Sequence, residues 1–208
     1  MATDTEKFRT FIGIRPNEAA LKFIKSFKRQ YGKAAWAKHI RWTAEPNIHI
    51  TMRFLGDLVQ QQITQIQTGL GLLLQDQTSF EVTINSPRPF PTAKKARMLA
   101  ALVHKNEELQ RLAEAIEALV VDAGVAPEQR AFRGHLTVGR FRHPVKGLDE
   151  LLQQTATLRM PVDHIILFKS ELKPTGAEYT EIANFRFQPL RNNWSNIVQY
   201  ICFINKNN

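Results

Sequence analysis

Apolar and polar residues alternate over 80–85 with the two-residue period of a half-buried strand, and 8–14 reads as an earlier strand of the same kind. Between them, Pro16-Asn17-Glu18 opens a helix in which Ala20, Phe23, Ile24 and Phe27 recur at helical spacing up to Gly32. Trp42 and the turn Glu45-Pro46-Asn47 lead into a strand over 48–55, which Gly56-Asp57 is expected to end. An amphipathic helix follows over 58–74 despite two glycines, and the prolines of 86–91 mark a turn. The second part of the chain repeats the plan. A strand over 96–103 precedes a helix over 106–123, with Leu109, Leu112, Ile116 and Leu119 on one face and Gly124 at its end. A strand over 134–141, a short helix over 147–154, and strands over 162–168 and 179–187 around Pro174-Thr175-Gly176 complete the pattern. Each half thus runs strand, helix, strand, which favours an α+β fold of two lobes with mixed or antiparallel sheets and suggests duplication. The apolar stretch 194–204 is expected to add a strand or helix to the body, or to contact another subunit.

Composition narrows the class. A chain of 208 residues with 43% hydrophobic and 23% charged content is globular and long enough to bury a core unaided. The net charge of +9 favours an anionic partner such as a phosphate backbone. One cysteine, Cys202, cannot form an internal disulfide and suits a reducing compartment. No signal peptide or membrane-spanning run stands out, so the expected location is cytoplasmic.

Two short segments carry the chemistry. His49-Ile50-Thr51-Met52 and His135-Leu136-Thr137-Val138 each pair a histidine with a threonine two residues on. On a strand, His and Thr would share one face while the apolar pair enters the core. Each segment is trailed by an arginine, Arg53 and Arg140, but in registers that differ by one place. Strict alternation puts Arg53 on the His49 face and turns Arg140 away from the His135 face, so the arginines are weaker candidates for substrate contact. Lys94, Lys95 and Arg97 are further candidates for backbone contacts.

Two imidazoles titrating near neutrality can act as an acid and a base, with two hydroxyls holding an oxyanion, which suits phosphodiester cleavage without a metal. The other histidines, His39, His104, His143 and His164, show no metal-ligand spacing, and no glycine-rich nucleotide loop occurs. A metal site, a cofactor and ATP-driven chemistry are therefore not expected.

With its flanks, the chain resembles the two-histidine phosphoesterase superfamily, and within it the bacterial RNA 2',3'-cyclic phosphodiesterases, also called 2'-5' RNA ligases. The resemblance covers most of 8–187. It rests on Arg9-Thr10-Phe11-Ile12-Gly13-Ile14, on Trp42 with His49 to Gly56, on Phe132 with His135 to Arg140, and on Leu167-Phe168-Lys169-Ser170-Glu171 leading to Pro174, Gly176 and Tyr179. Gly134 stands where such proteins often have proline.

The resemblance implies one bilobal domain over 1–190, with two pseudo-symmetric lobes and an active cleft between them, followed by an extension of unknown role over 191–208. It implies hydrolysis of an RNA terminal 2',3'-cyclic phosphate to a 2'-phosphomonoester, reversible as 2'-5' joining, with tRNA fragments among the candidate RNAs. His49 would be the proton donor and His135 the proton acceptor, with Thr51 and Thr137 holding the phosphate. A small cyclic nucleotide or ADP-ribose cyclic phosphate as substrate, and a non-catalytic RNA-binding module, are the competing readings. The oligomeric state is left open.

Overall fold

Ile63, Ile66, Leu70 and Leu74 recur at three- and four-residue steps, so one stripe of that helix is buried, and the same logic places Leu109, Leu112, Ile116 and Val120 inside. In the computed structural model, which describes residues 6–174 and 176–189, these helices cover the back of a twisted antiparallel sheet. In chain order the elements are β1 (Lys7–Ile14), α1 (Glu18–Tyr31), β2 (Ile40–Trp42), β3 (Ile50–Val59), α2 (Gln60–Leu74), β4 (Phe80–Asn85) and β5 (Arg88–Phe90). They continue with β6 (Met98–Leu102), α3 (Glu107–Asp122), β7 (His135–Phe141), β8 (Thr157–Val162), β9 (His164–Lys173) and β10 (Gly176–Arg186). The starts of α1 and α3 are capped by asparagine: Asn17 accepts from the Ala20 N–H and Asn106 from the Leu109 N–H.

The large sheet runs β10-β9-β1-β3-β7-β6-β5, with β2 on the remaining edge of β7. It is two four-stranded halves. Between β3 and β7 the ladder consists of a single pair, Ile50 opposite Leu136, and both side chains are fully buried. The two lobes expected from the sequence therefore meet at the strands that carry the histidines. α2 and α3 pack on β3 and on each other, while α1 packs toward β8 of a separate two-stranded sheet, β4-β8. That small sheet joins the end of β6 through an isolated bridge, Ile84 to Val103.

Several boundaries depart from the sequence reading for local reasons. Gly56 does not end β3: it takes φ +77°, a conformation glycine adopts without strain, and the strand continues to Val59 paired with Lys7 of β1. The prolines of 86–91 include a three-residue edge strand, β5, whose unpaired side tolerates Pro89. β2 and β8 are strands that the pattern did not separate from their surroundings. The short helix expected over 147–154 is a 3-10 turn, Asp149–Gln153. The expectation for 194–204, including Cys202, falls outside the described residues. Among the described residues no helix is long and apolar enough to cross a membrane.

Candidate functional site

β-Bulges decide which side chains face the cleft. β3 opposes β1 in a register that skips Leu55 and Met52, and β7 opposes β6 in one that skips Val138. Each skipped residue resets the alternation. Thr51 pairs with Gly13 and Phe54 with Phe11, while Arg53 pairs with the fully buried Ile12. Arg53 is thus on the core side. Its side chain is 9% exposed, forms an ion pair with Glu117 of α3 and donates to the carbonyls of Phe54 and Ala126. On β7 the opposite happens. His135, Thr137 and Arg140 pair with Leu102, Ala100 and Met98, every second residue of β6, so all three share the cleft face. Strict alternation therefore misplaces both arginines: the bulges turn Arg53, a candidate for substrate contact, into the core and put Arg140, the other candidate, on the face of His135 and Thr137. Lys94, Lys95 and Arg97 lie on the turn before β6 and its approach, where the first two are in the 3-10 segment Ala93–Lys95.

The histidines are held alike. His49 Nδ1 is 2.9 Å from the carbonyl oxygen of Asn47, and His135 Nδ1 is 2.8 Å from that of Arg133, two residues back in each case. A carbonyl only accepts, so each Nδ1 carries a proton and each neutral ring keeps its lone pair on Nε2. His49 Nε2 lies 3.0 Å from Thr51 Oγ1. The Thr137 hydroxyl donates to the Met98 sulfur at 3.6 Å, a weak partner that a phosphate oxygen can displace. The register about Ile50 and Leu136 sets the two motifs antiparallel and side by side.

Aromatic rings back both imidazoles. Phe11 lies against His49 at 4.7 Å between centroids, with Tyr179 edge-on at 5.2 Å, and Phe90 stacks on His135 at 5.4 Å. Gly13 leaves room for this packing, since a Cβ there would stand 2.8 Å from the Ile50 carbonyl oxygen and 3.5 Å from His49 Cδ2. Arg15 covers Phe168 at 5.1 Å, and Arg133 covers Phe90 at 4.9 Å.

Burial pushes the His49 imidazole down to about 4, opposed by its bond to Asn47 and reinforced by the positive fields of His135, Arg15 and Arg140. Burial also lowers His135, opposed by Arg133's carbonyl and reinforced by Arg140 and Arg133. Both rings are neutral at pH 7. Among the described residues, no three His, Cys, Asp or Glu side chains are grouped to hold a metal.

The aromatic backing, Met98, Arg15 and Arg133 were not among the site residues expected from the sequence. Phe11 and Tyr179 did stand in the segments that carried the resemblance, but a spacing pattern around histidine cannot reveal a ring supplied by another strand.

Fold and site together define a protein with two half-sheets and one histidine-threonine pair from each. A family described as the 2'-5' RNA ligase superfamily matches residues 16–174, and the chain belongs to it. It is 28% identical over 186 residues to the RNA 2',3'-cyclic phosphodiesterase of Methanothermobacter thermautotrophicus, covering 86% of this chain and 99% of that protein. The protein of the same name from Thermotoga maritima is 27% identical over 187 residues, covering 86% and 96%. Among solved structures, Escherichia coli LigT in apo form superposes with a TM-score of 0.70 at 16% identity, over 88% of this chain and 99% of that one. TT0787 of Thermus thermophilus gives 0.71 at 21%, over 88% and 100%. These two likenesses bear on the fold.

Proposed function

We propose that this protein is an enzyme that hydrolyses the 2',3'-cyclic phosphate at an RNA end to a 2'-phosphomonoester, working in the cytoplasm. The observation that carries the reading is the matched orientation of the two imidazoles, each fixed by an Nδ1–H bond to the carbonyl two residues back, on strands that meet at the centre of the sheet. Family membership and the names of the relatives support the substrate class. The net charge of +9 suits a polyanionic strand better than a small nucleotide.

In this reading His135, neutral with its Nε2 lone pair free, takes a proton from water as the water oxygen attacks phosphorus. His49, protonated, gives its proton to the departing 3' oxygen. The P–O3' bond breaks, the 2' ester remains, and the product is a 2'-phosphomonoester. His49 is neutral at pH 7 by itself, and an anionic substrate beside it favours the protonated form that acts as the acid. A phosphate charge ~5 Å away contributes roughly 3 kcal/mol at an effective dielectric of 20, about two pKa units, which enlarges the protonated fraction of His49 about a hundredfold. Thr51 and Thr137 donate to the non-bridging phosphate oxygens, and Arg140 adds positive charge on the same face.

The test offers a 2',3'-cyclic-phosphate oligonucleotide and a cyclic mononucleotide side by side, each with and without EDTA. Faster turnover of the oligonucleotide, insensitive to EDTA and abolished by His135→Ala, is expected. Equal turnover by wild type and His135→Ala overturns the assigned mechanism, loss with EDTA overturns metal independence, and preference for the mononucleotide overturns the RNA assignment.

A further inference from the structure

The neighbours of Arg41 in β2 decide where it points. Ile40 is buried and Trp42 packs against the core, so Arg41 between them turns to the opposite face, where it is exposed. Its Cα partner on β7 is Arg140. Residues directly opposite on antiparallel strands share a face, with Cβ atoms roughly 5 Å apart, so Arg41 extends the face of His135, Thr137 and Arg140 by one strand. Among the described residues Arg41 has no hydrogen bond or ion pair, and the Arg140 guanidinium reaches only the Met98 sulfur, at 3.8 Å. Like charges set opposite on a ladder repel, and here no carboxylate compensates them. Arg15 and Arg53, by contrast, are paired with Glu181 and Glu117. An anion bound at this face would offset the repulsion.

The start of β10 shows which half-site Arg41 adjoins. Its Nη2 lies 3.7 Å from where a Cβ on Gly176 would stand. The next residue, Ala177, accepts through its carbonyl from Asn47 Nδ2 at 2.7 Å, and the Asn47 carbonyl is the one that orients His49. Tyr179, two residues further, stands edge-on to His49. Arg41 is therefore on the His49 side, next to Arg140, whose positive field acts on both imidazoles. The phosphodiesterase reading, on which the following rests, sends O3' toward His49, so the terminal nucleoside and the chain on its 5' side lie with that half.

We propose that Arg41 holds the phosphate on the 5' side of the terminal nucleoside, the first internal phosphodiester of the RNA, while Arg140 faces the cyclic phosphate itself. The two side chains start about one strand spacing apart on long stems, so they can meet two anions separated by one nucleoside. A cyclic mononucleotide has no such phosphate and leaves Arg41 unengaged. Arg41 thus selects the end of a polynucleotide over a free nucleotide, and because it meets the backbone it reads no base.

The experiment measures kcat/KM on uridine 2',3'-cyclic phosphate, on the dinucleotide UpU with the same cyclic end, and on that dinucleotide with an uncharged methylphosphonate as its internal linkage. Wild type is compared with Arg41→Gln. Wild type is expected to prefer the charged over the uncharged dinucleotide by about tenfold or more, and Arg41→Gln to bring that preference to within about twofold. The melting temperature of Arg41→Gln should equal or exceed that of wild type, because the variant relieves a like-charge contact. A lower one would mean that Arg41 has a structural partner and overturns the proposal. A preference that survives in Arg41→Gln overturns the site, and so does a wild type that treats the two linkages alike, an arm that needs no variant. Each of these leaves the phosphodiesterase reading standing, whereas wild type that turns over none of the three substrates overturns that reading as well.

Discussion

Ile50 and Leu136 stand opposite each other as Cα partners at the centre of the sheet, each with no exposed surface. They form the β3–β7 ladder, so the distance between the half-sites depends on how well these two side chains pack. Leu136→Ala is expected to lower unfolding free energy by about 2–5 kcal/mol, and Ile50→Val by about 1 kcal/mol. Urea denaturation measures both. A Leu136→Ala protein as stable as wild type would show that the halves are held together elsewhere.

The arginines should separate into a stability residue and a substrate residue, opposite to the assignment that strict alternation gives. Arg53→Gln removes the cation from a mostly buried pair and should destabilise by about 3 kcal/mol, leaving kcat/KM of the folded protein within a few-fold of wild type. Arg140→Gln, at an exposed position, should change stability by less than about 0.5 kcal/mol. If Arg140 meets the substrate phosphate with a charged hydrogen bond, as its place on the His135 face allows, losing that bond should lower kcat/KM about ten- to a hundredfold. Thermal melts and steady-state kinetics on both variants decide the matter.

Each threonine hydroxyl should matter most at the transition state. Thr51→Ala and Thr137→Ala are each expected to lower kcat by about 10²–10³-fold, the usual effect of removing one oxyanion donor. A rise in KM at constant kcat would mean that the hydroxyl binds substrate and transition state equally.

Activity should respond to pH differently in the free and bound enzyme. The working form needs His49 protonated and His135 neutral, yet burial holds both below the ordinary histidine value, His49 at about 4. In the free enzyme His49 has lost most of its proton above pH 4, and the protonated fraction that can act as the acid shrinks further with each pH unit, so kcat/KM should fall across neutrality, with its maximum on the acid side. Bound phosphate raises His49, so the alkaline limb of kcat should lie at higher pH than that of kcat/KM. A kcat/KM that climbs between pH 6 and 8 would contradict the donor role.

Stability carries the same signature. His49 titrates near 6.5 when unfolded and at about 4 in the fold, so the fold favours its neutral form. That contribution is fully present above pH 6.5 and is lost as pH falls through 4, to a total of ~3 kcal/mol. His49→Gln should flatten the fall in stability between pH 6.5 and 4, as followed by denaturation at a series of pH values.

Much of this protein was determined by the sequence alone. The apolar spacing of Ile63, Ile66, Leu70 and Leu74, the caps Asn17 and Asn106, and the repeated His-x-Thr pattern depend on local periodicity and local hydrogen bonds, which the chain carries wherever it folds. Period two also placed His and Thr of each motif together, because no bulge falls between them. Tertiary structure decided the rest. Whether Arg53 or Arg140 faces the cleft depends on the residues that β1 and β6 leave unpaired in their neighbours, and one skipped residue reverses a strand's faces. The rings behind each imidazole come from β1, β5 and β10, and the lowered His49 titration follows from the burial that those strands create. Register and burial are properties of two strands at once, so neither can be read from one strand's sequence.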